Sequence, residues 1–493
     1  MKTKSIAEFG DFQTPLALAA RACARLAAVR PRSIIEPTCG RGSFVQAATL
    51  AFPGAERVLG FEINPEHLRH ACEAISDGAG RVTLKQADFF AQDWTQVLRP
   101  DWGPWLVIGN PPWVTSAELG SIASTNLPEK SNFQARKGFD AITGKANFDI
   151  SEWMLLQLLN GLAGQAGTVA VLCKTAVARK VLSQVWADKR PVTSAEMFKI
   201  DALSEFGAAV DACLFVLELG HHATIRECLV YDSLESAAPI QVIGFDGHGL
   251  ISNLLGYERT KELGGNDPKY VWRSGIKHDC SKIMELRGDG SSTLTNGLDE
   301  AVCIERELRL PFLKSSDIGN GRTTPRGEMV ITQKFVGQDT SYIESKFPIA
   351  WRYLSSHREL LDRRKSSIYL KNPQFSIFGV GGYTFSPWKV AISGFYKKLT
   401  FVVVGPSGDR PVVFDDTVYF LSCSSEEEAR FIHELLSSSV AQDFYSSIIH
   451  WDEKRPITVG LLKRLSLRKV AEKLGMVAMY EKFDGSLAFA KAA

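Results

Sequence analysis

Four short strand-like runs, each leading to a side chain that can hydrogen-bond or ionise, constrain the fold more than any other feature of the 493 residues. Ser33-Ile34-Ile35 leads to Glu36, and Arg57 to Phe61 leads to Glu62. Arg81 to Gln86 leads to Asp88, and Trp105 to Gly109 leads to Asn110. Runs this short, alternating with helical periodicity over the first ~225 residues, predict an α/β fold with a parallel sheet. Thr14-Pro15 predicts a helix start, with Thr as N-cap and Pro at the first helical position. Trp153 to Leu162 reads as a later helix, with strands at Thr168 to Cys173 and Asp211 to Leu219. Open sheets bind ligands at the carboxyl ends of their strands, so the four terminal residues are candidates for one site.

The first run enters Glu36-Pro37-Thr38-Cys39-Gly40-Arg41-Gly42-Ser43-Phe44. Gly40 and Gly42 allow a tight turn and a close backbone approach to a ligand. Glu62 can accept hydrogen bonds from both hydroxyls of a ribose. Dinucleotide sheets and S-adenosylmethionine sheets share that layout. A dinucleotide fingerprint requires a third small residue three positions after the second glycine, where this chain has Val45. Asp88 can accept from an adenine amine, and Phe89 can pack on the ring. A nucleoside without phosphates, carrying a sulfonium amino acid, suits Glu36, Glu62, Asp88 and Phe89 better than a pyrophosphate does.

The fourth run ends in Asn110-Pro111-Pro112-Trp113, a set suited to a planar base with an exocyclic amine. The Asn110 side-chain oxygen can accept from an N–H. The prolines stiffen the loop and leave carbonyls, Pro111 among them, free to accept. Trp113 offers a flat face for stacking. From Trp113 to Phe148 the chain turns polar, with Lys130, Arg136, Lys137 and Lys145 spread through it. A loop that long inside a compact domain is commonly functional, which places a lid over Asn110 among the readings and plain disorder as the other.

After residue ~225 the rhythm changes to β-rich runs such as Val390 to Ser393, Leu399 to Val404 and Thr417 to Leu421, with helical stretches at Glu426 to Ser438 and Gly460 to Leu474. A second, α+β domain is expected there. The formal charge is +2, but Trp351 to Thr400 holds nine Lys/Arg against two acids, together with ten aromatics. Within it Arg363, Arg364 and Lys365 form a basic run fit for a phosphate backbone. Nine cysteines without a CxxC pair indicate neither a disulfide framework nor a zinc site, so no metal is expected and a reducing cytoplasm fits. The N-terminus lacks the apolar core of a signal peptide, and no run approaches the ~20 apolar residues of a membrane span, so no membrane association is expected.

Phe12-Gln13-Thr14-Pro15, Glu36-Pro37-x-Cys39-Gly40-x-Gly42, Glu62, Asp88 and Asn110-Pro111-Pro112-Trp113, in that order, resemble the N6-adenine DNA methyltransferases of the gamma class, of the TaqI-like type II modification methylase kind. The family most often has Tyr or Phe where this chain has Trp113. The resemblance implies a class I S-adenosylmethionine-dependent methyltransferase domain (Rossmann-like) over 1–225, followed by a DNA target-recognition domain over 226–493. It implies cofactor contacts from Thr14, Glu36, Cys39, Gly40, Gly42, Glu62, Asp88, Phe89 and Asn110. It further implies double-stranded DNA as partner and an adenine flipped out of it onto Asn110 and Pro111, with Trp113 and Phe206 on its two faces. Lys145-Ala146-Asn147-Phe148 resembles the segment that follows the family's catalytic loop. Pro311 to Ile318 and Lys454-Arg455-Pro456-Ile457-Thr458 resemble recognition-domain landmarks. A separate restriction endonuclease or defence-system partner is compatible with this reading. The alternatives are an RNA or protein-glutamine N-methyltransferase, which also present planar amines, and a non-catalytic DNA-binding specificity subunit.

Overall fold

Alternate residues of the expected strands divide between two hydrophobic layers. Ile34, Leu106, Ile108, Ala170 and Leu172 pack on one side of a sheet. Ile35, Trp105, Val107, Val169 and Val171 pack on the other. This two-sided burial follows from the period of two along a strand, and it explains why the runs at 105–109 and 167–174 are mostly apolar, whereas 82–86, at the sheet edge, alternates. The structure is a computed structural model and describes residues 12–75, 80–114, 149–221, 225–288 and 294–483. The polar segment from 115 to 148, with Lys145, lies outside the described residues.

Strands β1 (Ser33–Glu36), β2 (Arg57–Glu62), β3 (Val82–Gln86), β4 (Trp105–Gly109) and β5 (Gly167–Lys174) run parallel in the order β3-β2-β1-β4-β5. Helices α1 (Leu16–Arg25) and α2 (Ser43–Ala51) cover one face with Leu18, Ala22, Phe44 and Val45. Helix α3 (Pro65–Ala74) follows β2. Helices α4 (Ile150–Gly161) and α5 (Thr175–Ala187) cover the other face with Met154, Leu155, Leu158, Val177 and Val181.

The sheet is mixed rather than wholly parallel. β6 (Val192–Ile200) and β7 (Ala212–Leu219) are sequential, yet β7 lies between β5 and β6, antiparallel to both. Their connection, 201–211, holds one short helix, Ala202–Phe206. That falls short of the dozen or more residues a parallel crossover needs. Three further strands, β8 (Glu227–Tyr231), β9 (Gln241–Phe245) and β10 (Leu250–Ile251), extend the sheet beyond β6. The chain accordingly divides into units 1–254 and 255–493. Antiparallel pairing begins with β7, before residue 225, and the sheet continues past 225 through β8, which pairs parallel with β6.

Helix α1 begins one residue later than expected. Pro15, with ψ 136°, stands as its N-cap, and no side chain caps it. Thr14 is used elsewhere: its carbonyl accepts from Ser43 Oγ at 2.7 Å and its hydroxyl from Asn110 Nδ2 at 3.2 Å.

The 255–493 unit contains a six-stranded and a four-stranded sheet. In the smaller sheet Trp388–Ser393 lies between Val402–Val404 and Val418–Cys423. The helical stretch expected over 460–474 is two pieces, Val459–Leu462 and Leu467–Lys473, because Ser466 caps the second through the Lys469 N–H. Among the described residues no helix is long and apolar enough to cross a membrane.

Candidate active site

The sheet order places a crevice at the carboxyl ends of β1 and β4. β1 is followed by β2 on one side, whereas β4 pairs with β1 on the other. Connections leaving the two strands part company there, which is where open sheets hold ligands. Residues of this crevice include Thr14, Glu36, Cys39, Gly40, Glu62, Asp88, Phe89, Asn110 and Pro112, so the strand-end residues singled out in the sequence converge.

Gly40 and Gly42 both adopt positive φ, +53° and +86°. Gly42 also admits α3: a Cβ there would lie 2.9 Å from Ile75 Cδ1 and 3.0 Å from Ala71 Cβ. Four backbone donors in and just after this turn are already taken. Gly40 N–H donates to Glu62 Oε2 at 2.8 Å and Arg41 N–H to Gln13 Oε1 at 3.0 Å. Gly42 N–H donates to Cys39 O at 2.7 Å, and Val45 N–H to Glu36 Oε2 at 3.0 Å. A phosphate cradle needs such N–H groups free. These four are not free for a phosphate.

The acids are individually positioned. Glu62 accepts from Gly40 through one oxygen and from Asn64 N–H, at 2.8 Å, through the other, which leaves one lone pair on each. Asp88 accepts from Phe90 N–H through Oδ1 at 2.9 Å. Glu36 is only 4% exposed. Burial pushes its carboxyl well above the usual range, the Val45 N–H pulls it back, and repulsion from Glu62 adds to the rise.

Asn110 is the best-defined polar group in the crevice. Its Nδ2 donates to Phe12 O at 3.1 Å and to Thr14 Oγ1 at 3.2 Å. A carbonyl can only accept, so the amide cannot be turned the other way without losing that bond. Its Oδ1 is buried and has no hydrogen-bond partner. A buried acceptor left open costs about 1–3 kcal/mol, and such a cost is commonly met at functional sites.

Trp113 is placed differently from a free stacking platform. It is buried, and its indole N–H donates to Leu172 O at 3.3 Å. Its ring lies 5.7 Å from Phe12 and 5.1 Å from Phe206, the latter edge-on. The structure thus brings Trp113 and Phe206 together, with Phe12 as a third member 6.1 Å from Phe206. Lys174 fastens the loop from behind, donating to Trp113 O at 3.1 Å and pairing with buried Asp149 at 2.7 Å. Phe89 is largely committed to the core, 4.5 Å from Trp94. Its half-buried neighbour Phe90 also lines the crevice.

Sequence reasoning passed over Ile63, which lines the crevice while 39% exposed. An apolar residue directly after a strand-end acid was the available signal. Met154 and Ile150 of α4 also line it, but only tertiary packing brings them there.

In the 255–493 unit the basic run splits. Arg363 is exposed and pairs with Glu359, and Lys365 is exposed. Arg364 turns inward, donating to Leu361 O, His278 O and Ser376 O, with its guanidinium 3.7 Å over the Tyr369 ring. Burial lowers its pKa from the ordinary arginine value. It braces the unit while lining one surface depression with Arg363 and Lys365.

No family model matches the chain. It is 44% identical over 473 residues to Type II methyltransferase M.NspV from Nostoc sp., covering 95% of this chain and 98% of that protein. Among solved structures, the Type IIL restriction-modification enzyme MmeI in complex with DNA aligns with a TM-score of 0.52 at 13% identity. That alignment covers 93% of this chain and 64% of MmeI, so the chain spans just under two thirds of that enzyme's length. The M protein of the type I restriction enzyme EcoKI aligns over 45% of the chain and 48% of its own, with a TM-score of 0.30 at 16% identity. The fold is that of the class I S-adenosylmethionine-dependent methyltransferases. With its near-complete relative in cover and nearly half the residues identical, the chain belongs to the type II methyltransferases, the DNA methyltransferases of restriction–modification systems.

Proposed function

We propose that this protein methylates the N6 amine of an adenine flipped out of duplex DNA, with S-adenosylmethionine as donor. The observation that carries the proposal is the buried, unpartnered Asn110 Oδ1, held in place by two bonds through Nδ2. An exocyclic amine is a poor nucleophile because its lone pair is delocalised into the ring. Asn110 Oδ1 and the Pro111 carbonyl, accepting from the two N–H groups, favour a tetrahedral nitrogen and stabilise the positive charge that develops on it. This is the logic of a preorganised oxyanion hole with the sign reversed. Once methylated, the nitrogen sheds one N–H proton to solvent.

Bound S-adenosylmethionine supplies a methyl group activated by a sulfonium. The cofactor's requirements match the crevice: Glu62 for the ribose hydroxyls, Asp88 for the adenine amine, Ile63 and Phe90 for the ring faces, and Glu36 for the amino acid's ammonium. The glycine turn, with the N–H groups of Gly40, Arg41 and Gly42 already engaged, suits a nucleoside without phosphates. Trp113 and Phe206 form the wall for the target base. The half-buried Phe12 ring packs against both of them, and its carbonyl holds Asn110. A base–aromatic stack is worth roughly 1–3 kcal/mol, which offsets part of the unstacking. The 255–493 unit is the target-recognition domain, and the 1–254 unit the catalytic one.

The test is the identity of the product. DNA incubated with the protein and methyl-labelled S-adenosylmethionine, then digested to nucleosides, is expected to carry its label in N6-methyladenosine of the deoxy series. Label on cytosine, or label only in RNA or a protein glutamine, overturns the reading.

A pH dependence follows from Glu36. An ammonium bound beside it favours the carboxylate, whereas the ligand-free site favours the acid. Cofactor binding therefore releases a proton, and affinity falls as pH drops through the raised pKa of Glu36. The decline begins above the ordinary glutamate value of about 4.3. Titration with S-adenosylhomocysteine, which keeps the ammonium, is expected to show this slope in the wild type and to lose it in Glu36→Gln. A slope that survives the substitution assigns the proton elsewhere.

A further inference from the structure

In the 255–493 unit, Phe335 and Val336 are 58% and 47% exposed at the tip of a turn. Gln338 N–H donates to Phe335 O at 3.2 Å, and Gly337 takes φ +84°, the positive φ that a type II turn requires at its third residue. Exposed apolar residues on a surface are common. What sets this pair apart is the rigidity of the loop beneath it. Gln333, fully buried, accepts from Ile377 N–H at 2.8 Å and donates to Gln338 O at 2.5 Å. Gln338 Oε1 closes the ring by accepting from Lys334 N–H at 2.6 Å. Thr332 and Thr340 hydroxyls donate to Phe375 O and Gln374 O, at 2.7 and 2.5 Å. Phe375 itself sits at φ +61°, a conformation an aromatic residue adopts only when its surroundings impose it.

A second exposed arm springs from the same root. Arg364 Nη1 donates to Ser376 O at 2.7 Å, and the chain then carries exposed Lys365, Leu370 and Lys371. Leu370 is 82% exposed. The second arm's Leu370 has Lys365 and Lys371 near it in the chain, and the first arm's tip has Lys334 before it and Asp339, which accepts from Ser341, after it. A protein interface would favour an apolar patch depleted of lysine. A duplex groove favours this combination, with cations for the phosphates and apolar groups for thymine methyls or base steps. A braced loop also loses little conformational freedom on binding.

We propose that the Phe335–Val336 tip enters a groove of the target duplex and reads base edges by apolar contact, making it a specificity element of the protein. The inference rests on the reading that the 255–493 unit engages DNA. Its test uses the full chain and two duplexes of equal length, one holding the site that the wild-type protein methylates in the DNA of an expression host and one lacking it. The double substitution Phe335→Ser, Val336→Ser is expected to weaken binding to the site-containing duplex at least tenfold. It leaves binding to the other duplex, its salt slope and S-adenosylhomocysteine affinity unchanged. Both residues are exposed, so the thermal midpoint is expected to hold. An unchanged ratio between the duplexes overturns the inference, as it would if the tip serves a protein partner. An equal loss on both duplexes overturns it too, since the contact would then carry no sequence information. A wild-type protein that methylates no host DNA overturns the parent reading and this inference with it.

Discussion

Asn110→Ala is expected to lower the rate of methyl transfer by about 10²- to 10³-fold, the usual cost of removing one preorganised partner of a developing charge. The substitution removes the open acceptor Oδ1 and also the donor that holds Phe12 O and Thr14 Oγ1. Two effects are therefore expected and can be separated. Loss of the acceptor lowers kcat at saturating cofactor. Release of the 12–14 segment raises the KM for S-adenosylmethionine, because Thr14 lines the same crevice. Asn110→Asp keeps an acceptor but loses the donor, so it should retain more of kcat than the alanine variant while sharing its KM defect. Near-normal methylation by Asn110→Ala sinks the role assigned to this residue.

The second large effect is on stability, far from the chemistry. Lys389 is 1% exposed in the strand Trp388–Ser393. Its Nζ donates to Ser386 O at 2.6 Å and lies about 6 Å from the rings of Phe414 and Phe420. Burial lowers its pKa to about 7, with the Cys423 thiol opposing the shift. In the unfolded chain an amine of this kind keeps its proton up to about 10.4. Between pH 7 and 10 the unfolded state thus binds one more proton than the native state, and stability rises with pH by up to about 1.4 kcal/mol per unit. Below pH 7 the native amine must carry its charge in an apolar setting, and the full penalty applies. Lys389→Met fills a similar volume without the charge. It is expected to stabilise the protein by about 2 kcal/mol or more at pH 6, after the loss of about 1 kcal/mol for the Ser386 hydrogen bond. The advantage should shrink toward pH 10. Denaturant midpoints of both proteins at pH 6, 8 and 10 check this, and a pH-independent difference, or a less stable variant, contradicts the account.

The site was legible in the sequence to the extent that its parts lie at strand ends. Glu36, Glu62, Asp88 and Asn110 could be placed because a short strand run, buried in three of the four cases and at the sheet edge over 82–86, fixes where its carboxyl end points. Gly40 and Gly42 could be placed because a positive φ selects for glycine. Side-chain orientation was not legible in the same way. Trp113 is turned into the core by a carbonyl at Leu172, 59 residues further along, and Arg364 is turned inward by carbonyls at His278 and Ser376. Neither partner leaves a local trace. The sheet's antiparallel half was likewise hidden, since β7 and β5 are both continuous apolar runs whatever their relative direction. Thr14 shows a different limit. A good capping residue was recognised as such, but its hydroxyl serves Asn110 instead, and propensity cannot tell which use wins.

Glu62 has a consequence for anyone wishing to redesign the cleft. One carboxylate fastens two walls, the glycine turn through Gly40 and the start of α3 through Asn64. Enlarging the pocket at this position, to admit a bulkier synthetic methyl-donor analogue, would loosen both walls at once and trade shape for disorder. Ile63 stands beside it, lines the same cleft and holds neither turn with its side chain. Trimming Ile63 opens space in the cleft while the Glu62 clamp keeps its outline, so room for a bulkier donor is better sought at that position.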